Sequence, residues 1–178
     1  RSTLFPYTTL FRSSIPTTFN VGDTFSYEGL SVTANYDDGT DDIVTPTSVS
    51  TPDLSSAGQK TVTVSYTKGG ITKTATYTIT VNAVTLTSIE VSGAKTAYYV
   101  GDTFVKPTVT ATFSNGSTSD VTNSATFSGY DIGSAGNQTV TVSYTNGTTQ
   151  STSYSITVTA VTLTSITISG YTTSFKNR

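Results

Sequence analysis

The chain has 178 residues, with 9 Lys and Arg against 11 Asp and Glu, a net charge of −2, 42 Thr, 25 Ser, and no Cys, His, Met or Trp. Without His or Cys there is no Ser-His-Asp or Cys-His nucleophile, no imidazole or thiolate zinc site and no disulfide framework. The acidic balance lacks the clustered cations that a nucleic-acid backbone demands, and no run approaches the ~20 apolar residues of a membrane-spanning helix. Metal chemistry would have to use oxygen ligands alone, and the excess of β-branched, hydroxyl-bearing residues favours strands over helix.

Taken in chain order, the first segment is set aside. The string TLFPYTTLFRS at residues 3–13 resembles the conceptual translation of a short-read sequencing adapter over all eleven residues. Phe5, Phe11, Leu4 and Leu10 show no clean alternation, and nothing later repeats them. Residues 1–13 are therefore read as a sequencing artefact with no domain, and the chain's beginning carries no information about a leader segment. Removing Arg1 and Arg12 leaves the charge of the remainder at −4, and residues 14–83, with three lysines against seven carboxylates, account for it.

From residue 14 onward the sequence repeats with a period of about 77 to 79 residues. Val21-Gly22-Asp23-Thr24-Phe25 returns as Val100-Gly101-Asp102-Thr103-Phe104, and Thr61-Val62-Thr63-Val64-Ser65-Tyr66 returns as Thr139-Val140-Thr141-Val142-Ser143-Tyr144. Tyr77-Thr78-Ile79-Thr80-Val81 returns as Tyr154-Ser155-Ile156-Thr157-Val158, and residues 83–89 return at 160–166. A third copy opens with Ile166-Thr167-Ile168-Ser169-Gly170. The division is module 1 at residues 14–83, module 2 at 84–160, and the first strand of a truncated third module at 161–178.

Within each module apolar residues alternate with Thr or Ser, the period of strands with one buried face. Val109, Ala111 and Phe113 are expected on one face, as are Val140, Val142 and Tyr144, and then Tyr154, Ile156 and Val158. Asp38-Gly39, Asn115-Gly116 and Asn146-Gly147 are expected to form two-residue type I′ turns. Six or seven short strands per module, with frequent turn signals, describe an all-β chain of tandem antiparallel β-sandwiches. Pro46 and Pro52 put normal pairing of the strand between them in doubt. The junction after residue 81 has neither Gly nor Pro and reads as stiff, so an extended rod of modules is expected.

The densest chemical signal is Asp37-Asp38-Gly39-Thr40-Asp41-Asp42. Asp37, Asp38, Asp41 and Asp42 could supply carboxylate oxygens to a calcium ion, which takes six to eight such ligands. The competing reading is a solvated turn, and the matching Ser114-Asn115-Gly116-Ser117-Thr118-Ser119 has no carboxylate. No other cofactor is implied. Asp23 and Asp102 follow glycine in both modules and read as turn-capping carboxylates. Tyr98, Tyr99 and Tyr171 could stack on sugar rings, although one of two adjacent strand residues must face inward.

The chain resembles the bacterial immunoglobulin-like domains that occur in tandem on surface proteins and secreted enzymes. The resemblance rests on the opening Leu-Thr-Ser-Ile-x-Val strand, the Val-Gly-Asp-Thr-Phe turn, the Val-Thr-Ala-x-Tyr/Phe-x-Asp/Asn-Gly hairpin, the Thr-Val-Thr-Val-Ser-Tyr strand and the closing Tyr-x-Ile-Thr-Val. It covers residues 14–170 and implies two immunoglobulin-like sandwiches without catalytic residues. It further implies a non-enzymatic extracellular spacer, with adhesion to a host or matrix protein or glycan, on a bacterial surface. Its partners would be neighbouring modules of the same chain, with no nucleic acid and no membrane span. The alternative is an accessory carbohydrate-binding or linker module of a secreted polysaccharide-degrading enzyme. Some such domains carry Lys-Asn crosslinks, for which Lys60, Lys68, Lys73, Lys95 and Lys106 are the lysines within the modules.

Overall fold

The computed structural model describes residues 7–9 and 15–170. These contain strands and no helix, and the chain divides into two compact units at Thr85/Leu86. Unit 1 holds β1 (Tyr7–Thr9), β2 (Thr18–Asn20), β3 (Val32–Asn35), β4 (Asp41–Val44), β5 (Ser48–Val49), β6 (Gly58–Lys68) and β7 (Ile71–Asn82). Unit 2 holds β8 (Leu86–Ser92), β9 (Ala97–Tyr99), β10 (Thr108–Phe113), β11 (Thr118–Asp120), β12 (Thr126–Ser128), β13 (Gly136–Asn146) and β14 (Thr148–Thr159).

Each unit stacks a four-stranded sheet on a three-stranded one. The four-stranded sheets run β2-β7-β6-β5 and β9-β14-β13-β12, and the three-stranded ones β1-β3-β4 and β8-β10-β11. The long hairpins β6–β7 and β13–β14 are paired without a break from Gly58↔Val81 to Lys68↔Ile71 and from Gly136↔Val158 to Asn146↔Thr148. The short entering strands lie parallel to the last ones, at Phe19↔Val81 and Tyr98↔Val158.

The alternation in the sequence places the core. In unit 2, Val109 and Ala111 from one sheet meet Val140, Val142, Ile156 and Val158 from the other, with Leu86 and Tyr98 beside them. Phe113, Tyr144 and Tyr154 pack half-buried at its margin. Unit 1 repeats the pattern with Val32 against Val62, Val64, Tyr77, Ile79 and Val81, closed by Ile15, Phe19 and Leu54. Apart from Thr33, which is buried, the intervening Thr and Ser are exposed or half-buried, which is why a chain only 34% apolar still builds two cores.

Three turns differ from expectation. Asn146-Gly147 is not a two-residue loop, since Asn146 pairs with Thr148 across Gly147 alone. Gly39 N–H donates to the Tyr36 carbonyl and Tyr36 N–H to the Thr40 carbonyl, so three residues rather than two form the loop. Gly116 with Phe113, and Phe113 with Ser117, do the same. The glycines at φ +83° and +81° follow the turn instead of sitting inside it, because the Asx side chain before each bonds forward and holds the preceding pair in an ordinary turn. The two-residue loop with both angles positive is Gly69-Gly70, at +59° and +79° between Lys68 and Ile71.

The proline-flanked strand does pair. β5 is two residues long, at Ser48↔Ser65 and Val49↔Val64, and Thr47 and Ser50 extend the ladder by donating to the Ser65 and Thr63 carbonyls. Thr47 Oγ1 and Ser50 Oγ also accept from Thr67 and Thr63 N–H, so hydroxyls take up donors beside the prolines.

The Tyr154 hydroxyl is buried without a hydrogen-bond partner among the described residues. A buried hydroxyl left unpaired destabilises, whereas a phenyl ring keeps the packing. Tyr154→Phe is therefore expected to raise the stability of module 2 by about 1 kcal/mol, while Ile156→Ala lowers it by about 2–5 kcal/mol. Urea denaturation read by tyrosine fluorescence checks both.

Candidate functional site

The acidic hairpin joins β3 to β4. Asp38 Oδ1 accepts from Thr40 N–H at 3.0 Å and from Thr40 Oγ1 at 2.6 Å. In module 2, Asn115 Oδ1 accepts from Ser117 N–H at 3.0 Å and from Ser117 Oγ at 2.7 Å. An amide oxygen and a carboxylate thus perform the same turn-closing task, and the charge of Asp38 is not needed for it. Asp41 and Asp42 lie on β4, and Asp42 Oδ2 stands 3.8 Å from Lys68 Nζ. Among the described residues no group of three or more acidic side chains is arranged to hold a metal ion. Asp37, Asp38, Asp41 and Asp42 are brought to one hairpin without being brought together around a point.

Sequence reasoning missed what surrounds the hairpin. Lys68, at the end of β6, donates to the Tyr36 hydroxyl at 2.9 Å and lies 4.1 Å from the centre of that ring. The bond to Tyr36 is the main cause raising the Lys68 pKa, and burial is the main cause raising that of Tyr66, which also hydrogen-bonds Tyr36. Module 2 has Phe113, Tyr144, Asn146 and Ser119 in place of Tyr36, Tyr66, Lys68 and Asp42, so the network belongs to module 1 alone. The contrast between the repeats was the signal that could have found it. Beside β4 runs a groove of about 540 Å³ lined by Tyr27, Glu28, Leu30, Ile43, Pro46 and Val49 among others. Tyr27 and Ile43 are exposed there.

The other candidates separate cleanly. Tyr98 is 2% exposed and belongs to the core, its hydroxyl accepting from Val105 N–H, whereas Tyr99 is 59% exposed. Tyr171 lies outside the described residues. Asp23 accepts from Asn20 N–H at 2.6 Å and Asp102 from Tyr99 N–H at 3.1 Å, with Lys95 adding a 3.2 Å ion pair in module 2. Asp53 and Asp131 occupy matching turns, accepting from Ser55 N–H and Gly133 N–H. Of the five module lysines none is buried.

These hydrogen bonds favour the ionised carboxylates. The Thr40 hydroxyl and N–H hold Asp38 below the ordinary 3.8, as Ser55 does for Asp53 and Thr122 for Asp120. Tyr99 N–H and then Lys95 lower Asp102, and the Ser134 hydroxyl and Gly133 N–H lower Asp131. A folded-state pKa below the unfolded one contributes stability above about pH 4, and that contribution disappears as the pH falls through the lower folded values. Urea midpoints are therefore expected to stay level from neutral pH to about 5 and to drop below about 4. Asp38→Asn should leave the neutral-pH midpoint in place and reduce this acid loss, because Asn115 already closes the same turn. Asp38→Ala should lower the midpoint at neutral pH.

The model of the bacterial Ig-like domain (group 3) family matches the chain twice, over residues 16–81 and 91–160. A search among curated proteins gives no match. Sixteen chains of solved structures match, among them one described as "Solution structure of a putative surface protein". It is 26% identical, covers 47% of this chain and 98% of its own, and has a TM-score of 0.28. Two family matches, each spanning one sandwich and together more than half of the sequence, place this chain in the bacterial immunoglobulin-like domain family, group 3, as a tandem pair.

Proposed function

We propose that the chain is a non-enzymatic, tension-bearing spacer of a bacterial surface protein, outside the cell, holding an adhesive or catalytic partner domain away from its anchor. The observation that carries this reading is the clasp repeated in both modules. β2 lies parallel to β7, with Thr80 N–H donating to the Thr17 carbonyl at 2.8 Å and Val21 N–H to the Asn82 carbonyl at 2.9 Å. β9 lies parallel to β14, with Thr157 N–H donating to the Thr96 carbonyl at 2.8 Å and Val100 N–H to the Thr159 carbonyl at 2.9 Å. Pulling a module by its two ends draws these parallel strands in opposite directions along their length. The bonds are then loaded together in shear rather than opened one at a time.

What the modules share supports the same reading. The core, the clasp and the turn carboxylates Asp23/Asp102 and Asp53/Asp131 recur, while the carboxylates that differ, Asp37, Asp38, Asp41 and Asp42 at the acidic hairpin, are exposed. The proposed partners are neighbouring modules of the same chain and a host or matrix ligand.

Single-molecule stretching of the chain between its ends is expected to give two unfolding events, each lengthening it by about 25 nm, from ~70 residues at up to 3.6 Å each. Val100→Pro removes one clasp donor and should lower the force of one event and leave the other unchanged. Extension without resolvable events would overturn the spacer reading.

A second reading, an accessory carbohydrate-binding module of a secreted polysaccharide-degrading enzyme, is favoured by one observation. The groove beside β4 presents the exposed ring of Tyr27 next to Glu28 and several hydroxyls, a combination suited to a sugar face. Binding to a glycan array that is lost in Tyr27→Ala would support it, and a silent array would leave the spacer reading alone.

A further inference from the structure

The two modules differ in length at two places, and in module 1 both border the groove beside β4. The repeat offset falls from 79 at Phe25/Phe104 to 77 at Val32/Val109 and Val44/Val121, then rises to 78 at Val49/Phe127. Module 1 thus has two residues more between Phe25 and Val32 and one fewer between Val44 and Val49. The longer segment forms the turn in which Leu30 N–H donates to the Tyr27 carbonyl, and it brings Tyr27 and Glu28 to the groove. The shorter one places exposed Thr47 immediately before β5, where module 2 has Ala125, 7% exposed in the core. Val49 stands where module 2 has Phe127, whose ring packs 5.8 Å from Phe104. Module 1 therefore gains a wall from the inserted turn and lacks two groups that module 2 sets against its core.

The groove also has open main-chain walls. β4 and β5 are the outermost strands of their sheets. Tyr36 N–H bonds the Thr40 carbonyl, and the two kinds of antiparallel pair alternate from there through Asn35↔Asp41, Ala34↔Asp42, Thr33↔Ile43 and Val32↔Val44. Asp41 and Ile43 consequently turn their N–H and C=O groups away from β3, as a template for a further strand. Their side chains share one face, and those of Asp42 and Val44 the other. Glu28, Asp37, Asp38, Asp41 and Asp42 are five of the seven carboxylates of residues 14–83, and all five are exposed. Against Asp37, Asp38, Asp41 and Asp42 module 2 has Ser114, Asn115, Thr118 and Ser119, and it carries Lys106 in the segment that matches the inserted turn. An edge so charged repels a second copy of itself and attracts a strand of opposite sign.

We infer that the β4 edge of module 1 binds an extended basic peptide of a partner protein as an added strand. The peptide backbone pairs with Asp41 and Ile43. Its apolar side chains enter on the Val44 side, in the gap lined by Leu30, Val44 and Val49, all three half-buried. Its lysines or arginines, on the other face and at the ends, meet Asp41, Glu28 and the ring of Tyr27. Such an occupant uses the open main chain and the carboxylates together, which a neutral sugar does not.

The test adds a capped heptapeptide of alternating lysine and valine, with lysine at both ends, to the isotope-labelled full chain. Amide shifts are expected at residues 27–31 and 41–49 and not at 118–128, and the affinity should fall as salt rises. A peptide with glutamate in place of lysine should not bind. Glu28→Gln with Asp41→Asn should weaken binding about tenfold. N-methylation of one alternate set of peptide amides, those facing β4, should abolish binding, and methylation of the other set should leave it. Val49→Phe restores the ring of module 2, closes the gap, and should remove binding with an unchanged circular dichroism spectrum. No shifts, equal shifts in both modules, equal binding of the glutamate peptide, equal loss from both methylated sets, or undiminished binding in either variant would each overturn the proposal. So would a neutral oligosaccharide that shifts residues 27–31 and 41–49 where the lysine peptide does not.

Discussion

Everything in each module depends on the register of one long hairpin, β6–β7 in the first and β13–β14 in the second. Over residues 62–66, 75–81, 140–144 and 154–158 of these strands every second residue is Val, Ile, Ala or Tyr and the rest are Thr or Ser, so a slip of one position would bring hydroxyls into the core and expose Val62, Val64, Val140 and Val142. With no disulfide and no tryptophan, the core is made largely of valine and isoleucine, whose stiff side chains fit a pleated face closely. The hairpin also supplies the strand on which the entering segment docks in parallel. Once it is formed, the clasp of β2 or β9 and the three-stranded sheet each have one place to go.

The carboxylates follow from this frame. A protein whose surface is so rich in hydroxyls has many neutral donors, and the acids found at its turns are used to organise backbone N–H groups. Asp23, Asp53, Asp102 and Asp131 each accept from the main chain within three residues of themselves. Asp38 does the same, and the equivalence with Asn115 separates its geometric role from its charge. What module 1 adds is electrostatic: Tyr36, Lys68 and Asp42 link β4, β6 and the end of β3 across one margin of the sandwich, where module 2 has Phe113, Asn146 and Ser119. The repeated parts of the chain build the sandwich, and the parts that are not repeated decorate it.

Much of the fold was legible from the residues. The alternation identified both long hairpins, the repeat located the two modules, and the glycine-aspartate turns were read as caps. The turns were less legible. Asp38-Gly39 and Asn115-Gly116 have the composition of a two-residue turn but occupy three-residue loops, because a forward hydrogen bond from the Asx side chain leaves the glycine to take the left-handed position after it. The short proline-bounded β5 pairs because Thr47 and Ser50 hydroxyls accept donors that the interrupted backbone leaves, and side-chain compensation of this kind has no periodic signature. The Tyr36 network joins residues 32 positions apart, which no local pattern announces.

The sequence by itself determined the strand period, the duplication and the exclusion of His- and Cys-dependent chemistry, since these are properties of residue type and spacing along one dimension. Only the tertiary structure decided that Tyr98 is core while Tyr99 is surface, that four neighbouring aspartates do not converge, and that Lys68 meets the Tyr36 hydroxyl. Those outcomes depend on which strands become neighbours across a sheet. Neighbourhood of that kind is set by packing two faces together, a condition that residues far apart in the chain must satisfy at once.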